Sequence, residues 1–282
     1  MTKACLDDIL ARDPKLGTLS DVYHRIESAI NDPNSSFEAM ASVIESDTAL
    51  ATKVLRIANS SLYALPGGIH SIQRAISIIG TQQLRDLALA ATVIRHFEGM
   101  PITGVDMESF WRHSIGCALL ARSLASFRRE ANVERFYVAG LLHDIGRLVM
   151  YMHMTDSMTR ILEAREHSHD LLFREEQWAL GFNHAQLGGD LLEHWQLPVA
   201  LHEPVRCHHD PNEAQRYPVE TAVVHAADSM TNALRMGSSG ERLVPPIDEQ
   251  AWARIALPET LLEQVTAYTE QHYAQAVEVF LA

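Results

Sequence analysis

The side chains best suited to chemistry in this 282-residue chain are histidines and aspartates that recur through its middle. They are His113, the pair His143-Asp144, His184, the pair His208-His209, and Asp228. Neutral imidazole together with carboxylate suits one or two divalent ions such as Fe, Mn, Ni, Zn or Mg, and not an ion held by thiolates. His143 and Asp144 close the segment FYVAGLLHDI, directly after the apolar Val138, Ala139, Leu141 and Leu142. A carboxylate placed there loses several kcal/mol of solvation unless it is paired, hydrogen-bonded or bound to a metal. A self-satisfied imidazole–carboxylate pair accounts for His143-Asp144 taken alone. The other members shift the balance, because each falls on an apolar stripe. His113 aligns with Cys117, Leu120 and Leu124, and His184 with Gly188, Leu191 and Trp195. His208-His209 follows Leu201 and Val205, and Asp228 follows Val224 by four positions. Five inward histidines and two inward aspartates on five successive helices point to a shared site.

The elements that must position these residues read as helices throughout, with no sustained period-two alternation, so the fold class is all-α: a multi-helix bundle with an additional N-terminal helical segment. Ser46-Asp47 can cap a helix with the stripe Leu50, Val54, Ile57 and Ala58. Pro66-Gly67-Gly68 reads as a turn, residues 71–79 as a short helix closed by Gly80, and Thr81 as the cap of a longer helix facing Leu84, Leu87, Ala91 and Ile94 inward. The stretch Gly99-Met100-Pro101 to Gly104 breaks the pattern and sets an internal boundary. The expected organisation is therefore an N-terminal helical segment over 1–104, a helical core over 105–235 that holds every candidate ligand, and a surface loop with a helical tail over 236–282. In the tail, Val265, Tyr268, Tyr273, Val277 and Phe280 are available for packing back onto the body or for a dimer contact.

Composition narrows the function classes. A net charge of −13 lacks the clustered cations that nucleic-acid binders use, so DNA and RNA are not expected partners. No apolar run reaches the ~20 residues that span a bilayer. The cysteines Cys5, Cys117 and Cys207 are odd in number and far apart, which reads as a reduced, cytoplasmic chain without a disulfide framework. Cys117 and Cys207 read as small core residues, and His194, His202 and His225 as lying off the site. Arg128-Arg129 and Glu175-Glu176 read as solvated faces.

The order His113, His143-Asp144, Asp228 resembles the HD superfamily of metal-dependent phosphohydrolases, and His184 with His208-His209 resembles the extended ligand set of its HD-GYP branch. The N-terminal text IESDTALATKVLRIANSSLY and IHSIQRAISIIGTQQLRDLAL is similar to the opening of HDOD domains, the HD-related output domains of bacterial signalling proteins. That likeness extends over roughly residues 18 to 235. It implies a signalling output module that binds partner proteins and keeps an HD-type metal site; the alternative it implies is a phosphohydrolase acting on a small phosphorylated ligand. In that alternative Asp144 serves at the reacting centre and Arg147 grips phosphate. The likeness to HD-GYP stops where Ala214 and Arg216 stand in place of glycines, and where Arg147 stands in place of lysine.

Overall fold

The computed structural model of the chain describes residues 2–19, 21–32, 36–63, 67–100, 102, 104–165 and 168–281. Pro66 and Pro101 lie outside these. Among the described residues there is no strand; the chain is all-α, as its periodicity predicts. In chain order the helices are α1 (Thr2–Arg12), α2 (Asp21–Asn31), α3 (Phe37–Glu45), α4 (Thr48–Ala58), α5 (Ile72–Ile79), α6 (Thr81–Phe97), α7 (Met107–Phe127), α8 (Val133–Leu142), α9 (Ile145–His153), α10 (Thr155–Ala164), α11 (Leu172–Leu180), α12 (His184–His194), α13 (Val199–Cys207), α14 (Pro218–Ala233), α15 (Glu249–Ile255) and α16 (Leu262–Leu281). No helix among them is long and apolar enough to cross a membrane.

The chain forms two compact units. One comprises Met1–Thr18 with Met100–Thr269, the other Leu19–Gly99 with Glu270–Ala282. Helix α1, expected within the N-terminal segment, belongs to the unit that holds the histidines. It packs on α12, and the Trp195 indole nitrogen donates to the Leu16 carbonyl at 2.8 Å. In the tail, Val265 enters the apolar cluster of α7, α14 and α15, while Val277 and Phe280 are also buried.

In the smaller unit, Asp47 caps α4 by accepting from the Leu50 amide at 3.0 Å, and Leu50, Val54, Ile57 and Ala58 are its buried face. Ser71 caps α5 in the same way, and Gly80 ends it with φ of 101°. Thr81 does not cap α6. Gly80 occupies that position, because α5 and α6 meet at this one residue and leave no extended position for Thr81. Asp47 also takes a two-pronged ion pair from Arg95 of α6, at 2.9 and 2.7 Å. The Arg95 guanidinium, with the Leu50 amide, lowers the Asp47 carboxyl to about 2.

The larger unit depends on close helix approaches. A side chain at Gly140 would meet the Ala118 Cα and Cys117 carbonyl at 2.9 Å, so α8 lies almost backbone to backbone on α7. At Gly146 a Cβ would collide with the His184 carbonyl and the Gly188 amide, so α9 meets α12 just as tightly. The segment from Met236, expected as a surface loop, is in part interior. Ser239 and Gly240 are buried because the Ser239 hydroxyl accepts from Arg147 at 2.7 Å and its carbonyl from the Tyr151 hydroxyl at 2.8 Å.

Two expectations follow. Gly146→Ala destabilises the chain by about 1–3 kcal/mol or more in denaturant unfolding, since overpacking at a backbone contact has nowhere to relax. Asp47→Asn keeps a competent cap but loses the ion pair, which is worth on the order of 1–2 kcal/mol with Arg95 partly exposed. A depressed carboxyl stabilises above its unfolded pKa of about 3.9 and stops doing so as pH falls through its folded value. The stability gap between wild type and Asp47→Asn, measured by denaturant titration, is therefore full at pH 6 and closes as the pH approaches 2.

Candidate metal centre

Each histidine and aspartate singled out in the sequence comes to one place, at helix ends or facing the interior of the larger unit. His113 lies on α7, His184 begins α12 and Asp228 lies on α14. His143 ends α8 and Asp144 precedes α9, so the junction between two helices turns both side chains the same way. His208 and His209 follow α13 directly. Asn183 and Gln186 form a reciprocal capping box that fixes the start of α12, and with it His184. All seven are buried except His209, which is partly exposed.

Asp144 joins two sets of imidazoles. Its Oδ2 lies 3.3 Å from His143 Nε2 and 3.5 Å from His113 Nε2, while its Oδ1 lies 2.9 Å from His184 Nε2. On the first side Asp228 Oδ1 completes the set, 3.2 Å from His113 Nε2 and 3.6 Å from His143 Nε2. On the second side His184 Nε2 lies 3.4 Å from His208 Nε2 and 3.1 Å from His209 Nε2. Three overlapping groups of possible ligand atoms result, each drawn together within 4.8 Å: His113, His143 and Asp228; His184, His208 and His209; and His143, Asp144 and His208, which joins the other two.

The residues fit a cation. His143 Nδ1 donates to the Gly140 carbonyl at 2.7 Å, and His208 Nδ1 donates to the Val205 carbonyl at 2.8 Å. A neutral imidazole held this way presents a lone pair at Nε2, the arrangement by which protein carbonyls and carboxylates orient metal-binding histidines. His184 is held similarly, with Nδ1 at 2.5 Å from Glu176 Oε2. Lone pairs and carboxylate oxygens then face one another at hydrogen-bond distance, and a positive charge among them is what makes that favourable. Nitrogen and oxygen donors without sulfur suit a divalent ion of the first transition series or Mg.

Without an ion, protons supply the positive charge: burial opposes charge on His143 and His184, but nearby anions, Asp144 beside both and Glu176 beside His184, raise the two imidazoles, so an ion would take the place of those protons. Burial works against charge on Asp144, but Arg147, His143 and His184 outweigh it and hold the carboxyl well below its usual range. Burial likewise opposes charge on Asp228, and hydrogen bonds from His113 and His143 overcome it. Burial, with His143 and His184 nearby, pushes His208 down to about 3, so it stays in the neutral form that binds metals. For His209 burial acts in the same direction, reinforced by His208 and His184.

Arg147 is 3% exposed and is engaged on every side. It donates to Glu176 Oε1 at 3.0 Å, Ser239 Oγ at 2.7 Å and Asp144 Oδ2 at 3.3 Å, and its Nη2 lies 2.9 Å from His184 Nδ1. Glu176, read in the sequence as part of a solvated pair, is fully buried because Arg147 and His184 both turn to it. Its spacing from Leu172, four positions earlier on α11, was the available signal. His225 is the second residue that sequence reasoning set aside. Its Nδ1 donates to the His208 carbonyl at 2.7 Å and its Nε2 accepts from the Asp248 amide at 2.9 Å, so it holds the His208-His209 backbone in place. Arg128 is likewise no solvated group; it donates to the Arg254 and Ile255 carbonyls at the end of α15. Cys117 and Cys207 are buried, as expected.

The family model described as HDOD domain matches residues 16–211. An HDOD domain protein of unknown function from Geobacter sulfurreducens is similar at a TM-score of 0.79 and 24% identity, over 94% of this chain and 93% of that one. A provisionally assigned phosphohydrolase from Shewanella amazonensis SB2B is similar at 0.75 and 22% identity, over 96% of both chains. At these identities the likeness to solved structures shows the fold. An uncharacterized protein of Treponema pallidum (strain Nichols) is 25% identical over 200 residues, and the match spans only 37% of its length.

Glu176→Ala removes the buried acceptor for both Arg147 and His184. It is expected to destabilise the protein by about 3–5 kcal/mol, because it takes the nearer carboxylate from a buried guanidinium and the acceptor from a buried imidazole; the shift in denaturant midpoint measures this.

Proposed function

The chain belongs to the HDOD family, and from that premise we propose that it is a regulatory output module of a signalling system, built around an HD-type divalent-metal centre that shapes its partner-binding body. The observation that carries this reading is the use of Arg147. The cation at the position where a hydrolase would grip phosphate is buried and committed to Glu176, Asp144 and Ser239. Six of the seven candidate donors are buried as well, which favours a centre that organises helices over one open to bulk solvent. On this reading His113, His143, Asp144 and Asp228 hold one ion, and Asp144, His184, His208 and His209 hold a second.

A second reading has its own support. No candidate ligand is missing, and Asp144 faces both groups with different oxygens, an arrangement suited to a metal-dependent phosphohydrolase. Divalent ions in such a site, when bound, polarise phosphate and activate water. Asp144 and the five imidazoles would hold the ions, and Arg147 would fix Asp144 by a direct hydrogen bond and His184 through their shared acceptor Glu176. Direct contact of Arg147 with substrate would require it to leave Ser239.

Metal content by mass spectrometry, on protein purified without chelator, tests the shared part of both readings. One or two equivalents of Fe, Mn, Ni or Zn are expected, with loss in His143→Ala and Asp144→Ala. Turnover of bis(p-nitrophenyl) phosphate in Mn or Fe separates the two. No turnover by metal-loaded protein supports the regulatory module, whereas turnover abolished by Asp144→Ala supports the phosphohydrolase.

A further inference from the structure

Among the proposed ligands His209 alone reaches partial exposure, and it lines a cavity of about 310 Å³. The apolar part of that cavity is formed by Leu171, Phe173 and the run Pro245-Pro246-Ile247. The Phe173 ring stacks on His209 at 4.0 Å with planes 11° apart, so an aromatic surface leads directly to the metal-binding cluster. The walls are braced by hydrogen bonds that need no ligand. His225 ties the His208 carbonyl to the Asp248 amide, and Asn212 donates to Asp248 Oδ2 at 3.3 Å. Small-molecule sites are usually preformed in this manner, with apolar walls and a few polar groups, and span roughly 300–1,000 Å³.

Size and charge restrict what fits. The volume lies at the lower end of that range. Three carboxylates line the cavity, from Asp210, Glu213 and Asp248, against one guanidinium, Arg174, whose Nη1 already lies 3.3 Å from Asp170. A ligand with a single anionic group can place it at the cations of the centre and rest an uncharged body on the Phe173 and proline surface. A ligand with two separated phosphates must leave one among the carboxylates, where repulsion in a partly desolvated cleft costs affinity.

We propose that this cavity is the route by which a small ligand reaches the centre, and that it selects a phosphate monoester bearing a compact, uncharged organic group over a cyclic dinucleotide. The proposal rests on the reading of the histidines and aspartates as a metal centre. It concerns binding and holds whether the ligand is sensed or hydrolysed.

The test uses the full chain loaded with Co(II), titrated calorimetrically with inorganic phosphate, phenyl phosphate and cyclic diguanylate, while the cobalt absorption bands are followed. Phenyl phosphate is expected to bind roughly ten-fold or more tightly than cyclic diguanylate and to shift the bands. Pro246→Trp narrows the cavity from an exposed position without removing a hydrogen bond or touching a proposed ligand. It should weaken phenyl phosphate roughly ten-fold while metal content and inorganic phosphate binding hold. Glu213→Lys, on an exposed position, should narrow the gap between phenyl phosphate and cyclic diguanylate. Equal binding of phenyl phosphate and cyclic diguanylate in wild type, or no response to Pro246→Trp, overturns the proposal. Cobalt uptake with no phosphate bound overturns this proposal and leaves the metal reading intact. No cobalt uptake overturns both.

Discussion

A carboxylate in the interior of a protein must be answered by positive charge or by hydrogen bonds, and Asp144 is the place where this chain meets that demand. It sits at a junction between two helices, so its two oxygens face different directions, and each meets its own set of imidazoles. Around it, Asp228, Glu176 and Arg147 form further buried charges that are each paired. Removing any one would leave another uncompensated, which ties the helices of this unit to one electrostatic arrangement.

Such an arrangement needs backbones close enough for short side chains to meet. The contact of α8 with α7 at Gly140, and of α9 with α12 at Gly146, brings His143 to His113 and Asp144 to His184. The carbonyls of Gly140 and Val205 then hold the δ nitrogens of His143 and His208, leaving the ε nitrogens turned toward the carboxylates. Helix packing and ligand orientation are thus one geometric fact, since the same residues supply both.

Arg147 distinguishes the two functional readings in physical terms. A guanidinium held on three acceptors stabilises the centre, and it is costly to redirect toward a substrate. The partly exposed His209, stacked on Phe173, lines a cavity that Arg147 does not line. A regulatory centre that senses a small phosphorylated ligand and a slow hydrolase are both compatible with that access; the commitment of Arg147 favours the first.

Much of this was legible in the primary structure. The capped stripe of α4, the break at Gly80 and the inward placement of His113, His184 and Asp228 follow from local periodicity, because a buried helix face repeats every three or four residues regardless of its partner. The seven candidates were also readable one by one: His113, His184 and Asp228 stand on such faces, and His143-Asp144 and His208-His209 directly follow apolar helices. Tertiary structure alone decided the remainder. Glu176 looks like half of a solvated pair until Arg147 and His184 arrive from other helices, and His225 looks peripheral until the His208 carbonyl and Asp248 amide reach it. The Ser239 segment reads as surface by composition and is interior because Arg147 and Tyr151 bind it. A polar side chain is buried or exposed according to partners distant in sequence, and local pattern carries no record of those partners.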